Sequence, residues 1–172
     1  MKRTAIVILA VAMAVAFGIA HNLITVQISP ANFTVGHARI VPTDSPVLLA
    51  IAWGMVTPLV AGLIVGVPLS IVATAGSKAQ LATAQLVLPI AALCMAMAVG
   101  SVVGGAVGYA RARSGSHGVP ESLVRRVPLP ELVRFASIRT AHTWAHRAGF
   151  VGGVVLWLYA WRVRQAQRPV GA

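Results

Sequence analysis

Between Ser45 and Ala110 the chain carries a single charged residue, Lys78, and this feature constrains the fold more than any other. Lys78 separates two apolar segments, 47–74 and 81–110, and each exceeds the roughly 20 residues with which a helix crosses a bilayer. Because a bilayer core holds no water to bond with backbone polar groups, such segments must be helical. Residues 75–80, which include Gly and Ser, are predicted to form a short turn between them, so we expect an antiparallel pair of membrane helices.

Composition supports a membrane protein and excludes other classes. Hydrophobic residues make up 58% of the 172 residues, charged residues 10%, and the mean hydropathy is +0.82. A soluble domain carries roughly 25% charged residues, so a soluble enzyme and a disordered chain are excluded. Cys94 is the only cysteine, which excludes an internal disulfide.

The net charge of +11 lies outside the apolar segments. In that position it favours anionic lipid headgroups as the partner, and no nucleic acid is expected.

Two further spans are expected at the ends of the chain. Residues 4–21 form the first, which we interpret as a retained helix, with a cleaved signal peptide as the alternative. The apolar run Ala148–Trp161 is too short to cross, so the fourth span is placed at 142–161. The expectation is one all-α membrane domain over 1–172 with four transmembrane helices. Loops 22–46 and 111–141 then form a small extracytoplasmic cap.

Local patterns add three expectations. Leu23–Ser29 is rich in β-branched residues and predicts a short extended segment. Ser45 followed by Pro46 predicts a helix start. Residues 121–139 mix apolar side chains with arginines and contain Pro128 and Pro130, which predicts short amphipathic pieces at the membrane surface.

Orientation follows from the first helix, because the total count of Lys and Arg does not favour inside termini: six lie on the terminal side and eight on the other. Lys2 and Arg3 precede the first span and no charge follows it closely. The sequence therefore predicts a bacterial cytoplasmic membrane protein with both termini in the cytoplasm.

Glycines recur every four residues in three of the predicted spans. In lipid, helices associate through close backbone approach at small residues. We expect packing within the chain at these positions, with dimerisation as the alternative: Gly62, Gly66, Gly100, Gly104, Gly108, Gly149 and Gly153.

Four histidines fall on one side of the membrane in this topology. His142 and His146 share one helix face, His21 ends the first span, and His37 lies in the first loop. Imidazoles that converge at one depth are typical of a transition-metal or haem site. The alternative is that these histidines cap helix ends. The sequence does not decide which cofactor, a transition metal or haem, would bind.

Missing residues limit the chemistry. The only acids are Asp44, Glu121 and Glu131, so no carboxylate lies in a span for a coupled transporter or a di-iron bundle. Ser70 and Ser101 lie in spans, but nothing in the sequence places a histidine at their depth for hydrolysis. His142-Thr-Trp-Ala-His146 lacks the Glu of a metallopeptidase.

The first loop resembles a signature of uncharacterised bacterial four-span integral membrane proteins, approximately His-Asp-x-Ile/Val-Thr followed by Glu-Tyr-Phe-Thr-x-Gly-His-Pro. Asn22 and Ala31 stand where that signature has acids, which leaves a histidine-only site. The resemblance implies four spans and no established activity. The matching positions are His21, Thr25, Phe33, Thr34, Gly36 and His37.

The functional hypothesis is a multi-pass membrane protein, non-enzymatic, whose histidine-bearing cap binds a partner or a metal. Two alternatives remain open: a small oligomeric transporter or channel subunit, and a membrane enzyme that depends on a metal or haem. A homo-oligomer or a membrane partner is compatible with the cap-binding hypothesis and with the transporter or channel alternative.

Overall fold

The computed structural model describes residues 1–76 and 79–167, and this part of the chain contains helices and no strand. Four helices are long: α1 (Lys2–Ile28), α3 (Pro46–Thr74), α4 (Thr83–Arg113) and α6 (Leu132–Ala166). The connections contain two single-turn helices, α2 (Ala31–Thr34) and α5 (Glu121–Val124), and a 3-10 turn at Leu129–Glu131. Ser77, Lys78 and residues 168–172, which include part of the predicted 75–80 turn, lie outside the described residues.

Three of the described helices, α1, α3 and α4, are long and apolar enough to cross a membrane. Most of their large side chains are exposed, for example Ile64, Leu88 and Val102. In water such a surface would drive aggregation, whereas lipid tails solvate it. The helix content and the apolar surface together fit a membrane protein.

Helices α1 and α3 pack through small residues. A Cβ added at Gly62 would lie 2.8 Å from Cα of Val11, and one added at Gly66 would lie 2.9 Å from the Ala10 methyl group. Gly18 lies against Pro58. Because real Cβ atoms do not come this close, larger residues would separate the two backbones.

Helices α4 and α6 pack in the same way. A Cβ at Gly104 would lie 2.6 Å from Cβ of Trp144, and one at Gly108 would lie 2.7 Å from Cβ of Thr140. The hydroxyl of Ser137 adds a bond to the Gly105 carbonyl at 2.8 Å. Two tight helix pairs, α1–α3 and α4–α6, therefore make up the molecule.

The two pairs join firmly at the end that holds Arg164. An apolar cluster there includes Ile6, Leu69, Leu86 and Leu156. Arg164, which is buried, donates from its guanidinium to the carbonyls of Val72 and Ala75 at the end of α3 and of Ala79 in the connection that follows. A cation is well placed there because the last carbonyls of a helix carry partial negative charge.

At the opposite end the two polar connections pack on each other. Ala31 of α2 lies in a cluster with Val119, Val127 and Phe135 from the second connection and α6. A second cluster seats Phe33 against the first turns of α3. The connections are therefore ordered around apolar residues that the sequence places among polar ones.

Two local expectations were wrong. Leu23–Ser29 is not extended, because α1 continues to Ile28 with Thr25 and Val26 buried. Packing of that face outweighs the β propensity of its residues. Helix α6 begins at Leu132, directly after the 3-10 turn that contains Pro130, instead of near His142. Within residues 132–141 the side chains of Phe135, Ala136, Ile138 and Ala141 are buried. This segment therefore belongs to the packed core and does not form a short amphipathic piece at the membrane surface.

The helix start at Ser45 was predicted correctly. The Leu48 backbone N–H donates to the Ser45 hydroxyl at 3.4 Å, and Pro46 occupies the first helical position.

Candidate functional site

A cavity of about 290 Å³ lies between the two helix pairs. Most of its wall is apolar and comes from all four long helices, including Ala14, Val65 and Leu93. The wall becomes polar towards the two connections that follow α1 and α4, where histidine and asparagine side chains line it. The cavity thus has an apolar body and one polar end, which consists of His21, Asn22, His37, Trp53 and His142.

His21 is held from both sides of its ring. The Asn22 amide donates through Nδ2 to the Ala50 carbonyl at 3.0 Å, so its Oδ1 is left to accept from His21 Nδ1–H over a long 3.5 Å contact. The other ring nitrogen, Nε2, then accepts from the hydroxyl of Ser101 at 2.7 Å. Both nitrogens of His21 are therefore engaged within the protein.

His37 is fixed by the single-turn helix α2. Its Nδ1–H donates to the Asn32 carbonyl at 2.7 Å, because a carbonyl can only accept. Its ring stacks on Phe33 with centroids 5.5 Å apart and lies 5.2 Å from the Trp53 ring. Among the described residues Nε2 of His37 has no hydrogen-bond partner.

His142 comes from α6 and meets the other two rings. The Thr25 hydroxyl donates to the Asn22 carbonyl at 3.3 Å, so it accepts from His142 Nε2–H at 3.3 Å. The centroid of the His142 ring lies 4.9 Å from that of His21 and 6.0 Å from that of His37. Nδ1 of His142 is the nitrogen that the described residues leave without a partner.

The cavity wall reaches the outer surface of the molecule along α3 and α6. Ile64 lines the cavity and is also 60% exposed, and Phe150 lines it and is 74% exposed. Thr57, Ala61 and His146 are likewise exposed lining residues. Thr57, Ala61 and Ile64 recur along one face of α3, so the opening lies between α3 and α6.

The structure brings three of the four predicted histidines together at His142, while His146 lies one turn further along α6. No group of three or more His, Cys, Asp or Glu in residues 1–76 and 79–167 is arranged to hold a metal ion. The transition-metal or haem site on these histidines therefore stays a prediction.

The predicted packing glycines divide between two places. Gly62, Gly66, Gly100, Gly104 and Gly108 contact the partner helix of their pair. Gly149, next to Met97 of the partner helix α4, and Gly153, next to Val65 of α3, also line the cavity, on the same face of α6 as His142. The face that bears the histidines is therefore a cavity wall.

Sequence reasoning missed the partners of the histidines. Ser101 was not expected near a histidine, yet its hydroxyl lies 2.7 Å from His21. Asn22 was considered only as a missing acid, and it links α1 to α3. The sequence carried a weak signal for Ser101, because serines in apolar spans often bond across helices, although Ser70 bonds within its own helix.

Comparison with known proteins adds no relative: no family model, no curated protein and no solved structure matches the chain.

Proposed function

We propose that the protein is a non-enzymatic membrane protein that binds a small lipid-soluble molecule between its two helix pairs. The observation that carries this proposal is the cavity of about 290 Å³ with one polar end. Binding sites for small molecules are typically concave, mostly apolar, and furnished with a few polar groups that fix orientation. The polar end of the cavity supplies those groups, so we place the polar head of the ligand there.

The ligand enters from the bilayer in this proposal. Ile64 and Phe150 belong both to the cavity wall and to the surface that lipid would cover. A molecule dissolved in the membrane can pass between α3 and α6 without crossing water. A ligand with an apolar body and a polar head matches the two ends of the cavity.

The setting that we propose is a bacterial cytoplasmic membrane, crossed four times, with both termini in the cytoplasm. Helix α6 is then the fourth span, and its 35 residues are long enough for a crossing. Its apolar half ends at Trp157, Tyr159 and Trp161, which is typical of a membrane interface. The polar end of the cavity and the packed connections then form an extracytoplasmic cap.

Co-purification tests the proposal. The wild-type protein, purified in mild detergent, should carry a lipophilic molecule that native mass spectrometry detects. Ala61→Trp places an indole at the opening and should remove most of that molecule. Leu63→Trp is the matched control, because Leu63 is exposed on the same helix but does not line the cavity. Its occupancy should equal that of the wild type.

Equal occupancy in both tryptophan variants would contradict the proposal, as would a wild-type protein that neither retains nor rebinds any lipophilic molecule. A stoichiometric transition metal or haem in the purified protein would instead support the metal hypothesis for the histidines.

A further inference from the structure

We infer that the ligand carries a phenolic head, an aromatic ring with a hydroxyl group, which donates to His37 or His142. The inference rests on the proposed function, since it names the chemical class of the molecule that occupies the same cavity. It depends on which ring nitrogens the protein itself already uses.

The protein fixes the tautomer of both rings. His37 must carry its proton on Nδ1 to donate to the Asn32 carbonyl, and we assign the proton of His142 to Nε2 because the Thr25 hydroxyl that it contacts donates to the Asn22 carbonyl. A neutral imidazole has one donor and one acceptor nitrogen. Nε2 of His37 and Nδ1 of His142 are therefore acceptors without a partner among the described residues, on two rings that line the cavity.

The other three residues of this polar end, His21, Asn22 and Trp53, are already hydrogen-bonded within the protein. Both nitrogens of His21 are bonded, the Asn22 amide bonds to Ala50, and the Trp53 indole N–H donates to the Ala38 carbonyl at 3.0 Å. Of the five residues at this end, His37 and His142 are the ones that offer a ligand an unused group, and that group is an acceptor. A head that can donate a hydrogen bond is favoured, and a head with only acceptors leaves these nitrogens unpaired in an apolar surrounding.

The wall beside the two acceptors is aromatic. Trp53 and Phe17 line the cavity next to the histidines, and their rings lie 5.2 Å from His37 and 5.6 Å from His21. Flat rings pack well against such walls. An aromatic hydroxyl head in the polar end, with an apolar chain that leaves between α3 and α6, satisfies both the hydrogen bonding and the shape.

A matched pair of probes tests the inference. The phenol 4-nonylphenol and its methyl ether 4-nonylanisole differ only in the hydroxyl donor, and their binding to the full-length protein in nanodiscs is measured by titration. We expect the phenol to bind about tenfold more tightly, the worth of one hydrogen bond to a partly buried acceptor. The double variant His37→Phe/His142→Phe keeps ring contacts and should bind both probes equally. His117→Gln, in a loop outside the cavity, should keep the preference.

The outcomes separate the two levels of the proposal. Equal binding of both probes to the wild type would overturn the phenolic head and leave the lipophilic cavity standing. Failure of both probes to bind would overturn the inference and count against the proposed function. A preference that persists in the folded double variant would place the acceptor elsewhere and overturn the inference. Because the wild-type comparison needs no variant, a misfolded double variant does not weaken the test.

Discussion

At the scale of single residues, the histidines differ in what the protein demands of them. Both nitrogens of His21 are hydrogen-bonded, one to Ser101 of α4 and the other to Asn22 of its own helix α1. His37 and His142 are each bonded at one nitrogen only. His21 therefore stabilises the packing of α1 against α4, whereas the other two keep an acceptor available. Residue type alone does not distinguish these roles.

Replacement of Ser101 by Ala should destabilise the protein, because it leaves Nε2 of His21 without its donor in a buried position. We expect a loss of roughly 1–3 kcal/mol in the free energy of unfolding. Ser70→Ala is the control, since the Ser70 hydroxyl donates only to the Val67 carbonyl of its own helix. Unfolding of both variants in mixed micelles measures the difference, and equal losses would show that the His21–Ser101 bond contributes nothing.

At the scale of helices, small residues decide which elements pair. Gly104 lies against Trp144, and Gly62 lies against Val11, so each pair has at least one contact that only glycine permits. Lipid tails are as apolar as leucine, so helices gain little from burying large side chains against each other. Close backbone approach with dispersion contacts supplies the stability, and it depends on residue size.

Gly104→Leu should separate α4 from α6, because its Cβ alone would lie 2.6 Å from the Trp144 side chain. Overpacking of this kind costs about 1–3 kcal/mol, and more where the backbone must shift. Val103→Leu is the neighbouring control, since Val103 is exposed on the lipid-facing side. Thermal unfolding in detergent should show a lower Tm for Gly104→Leu alone. Equal Tm values would mean that α4 and α6 do not pack through this glycine.

At the scale of the whole molecule, the two helix pairs are joined at one end and separated by a cavity further along. Arg164 and its cluster close one end, and the packed connections cover the other. Gly149 and Gly153 line the space between them, where they lie against Met97 of α4 and Val65 of α3. Two rigid pairs with a gap between them make an opening to lipid between α3 and α6.

Reporter fusions at residues 40, 78, 120 and 172 test the proposed orientation. They should report outside, inside, outside and inside, because in the proposed topology Lys2 and Arg3 hold the start of α1 in the cytoplasm and four spans return the chain there. A cytoplasmic signal at residue 120 would contradict four spans in this orientation, and would make the arginine-rich second connection an inside loop.

The sequence alone was enough to predict the long apolar helices, which fit a membrane protein. Uncharged segments of this length leave a helix in lipid as the only way to satisfy the backbone, so α3 and α4 were predicted closely. The glycine spacing and the helix start at Ser45 are equally local signals. Each depends on residues within a few positions of one another, and a pattern can show them.

Only the tertiary structure decided where the helices end and what surrounds the histidines. Burial of Thr25 and Phe135 extends α1 and α6 beyond their apolar runs, because packing outweighs local propensity there. The bond between His21 and Ser101 joins residues 80 positions apart, and that between His142 and Thr25 joins residues 117 apart. Such contacts arise when helix pairs meet, and a single sequence carries no local pattern that specifies them.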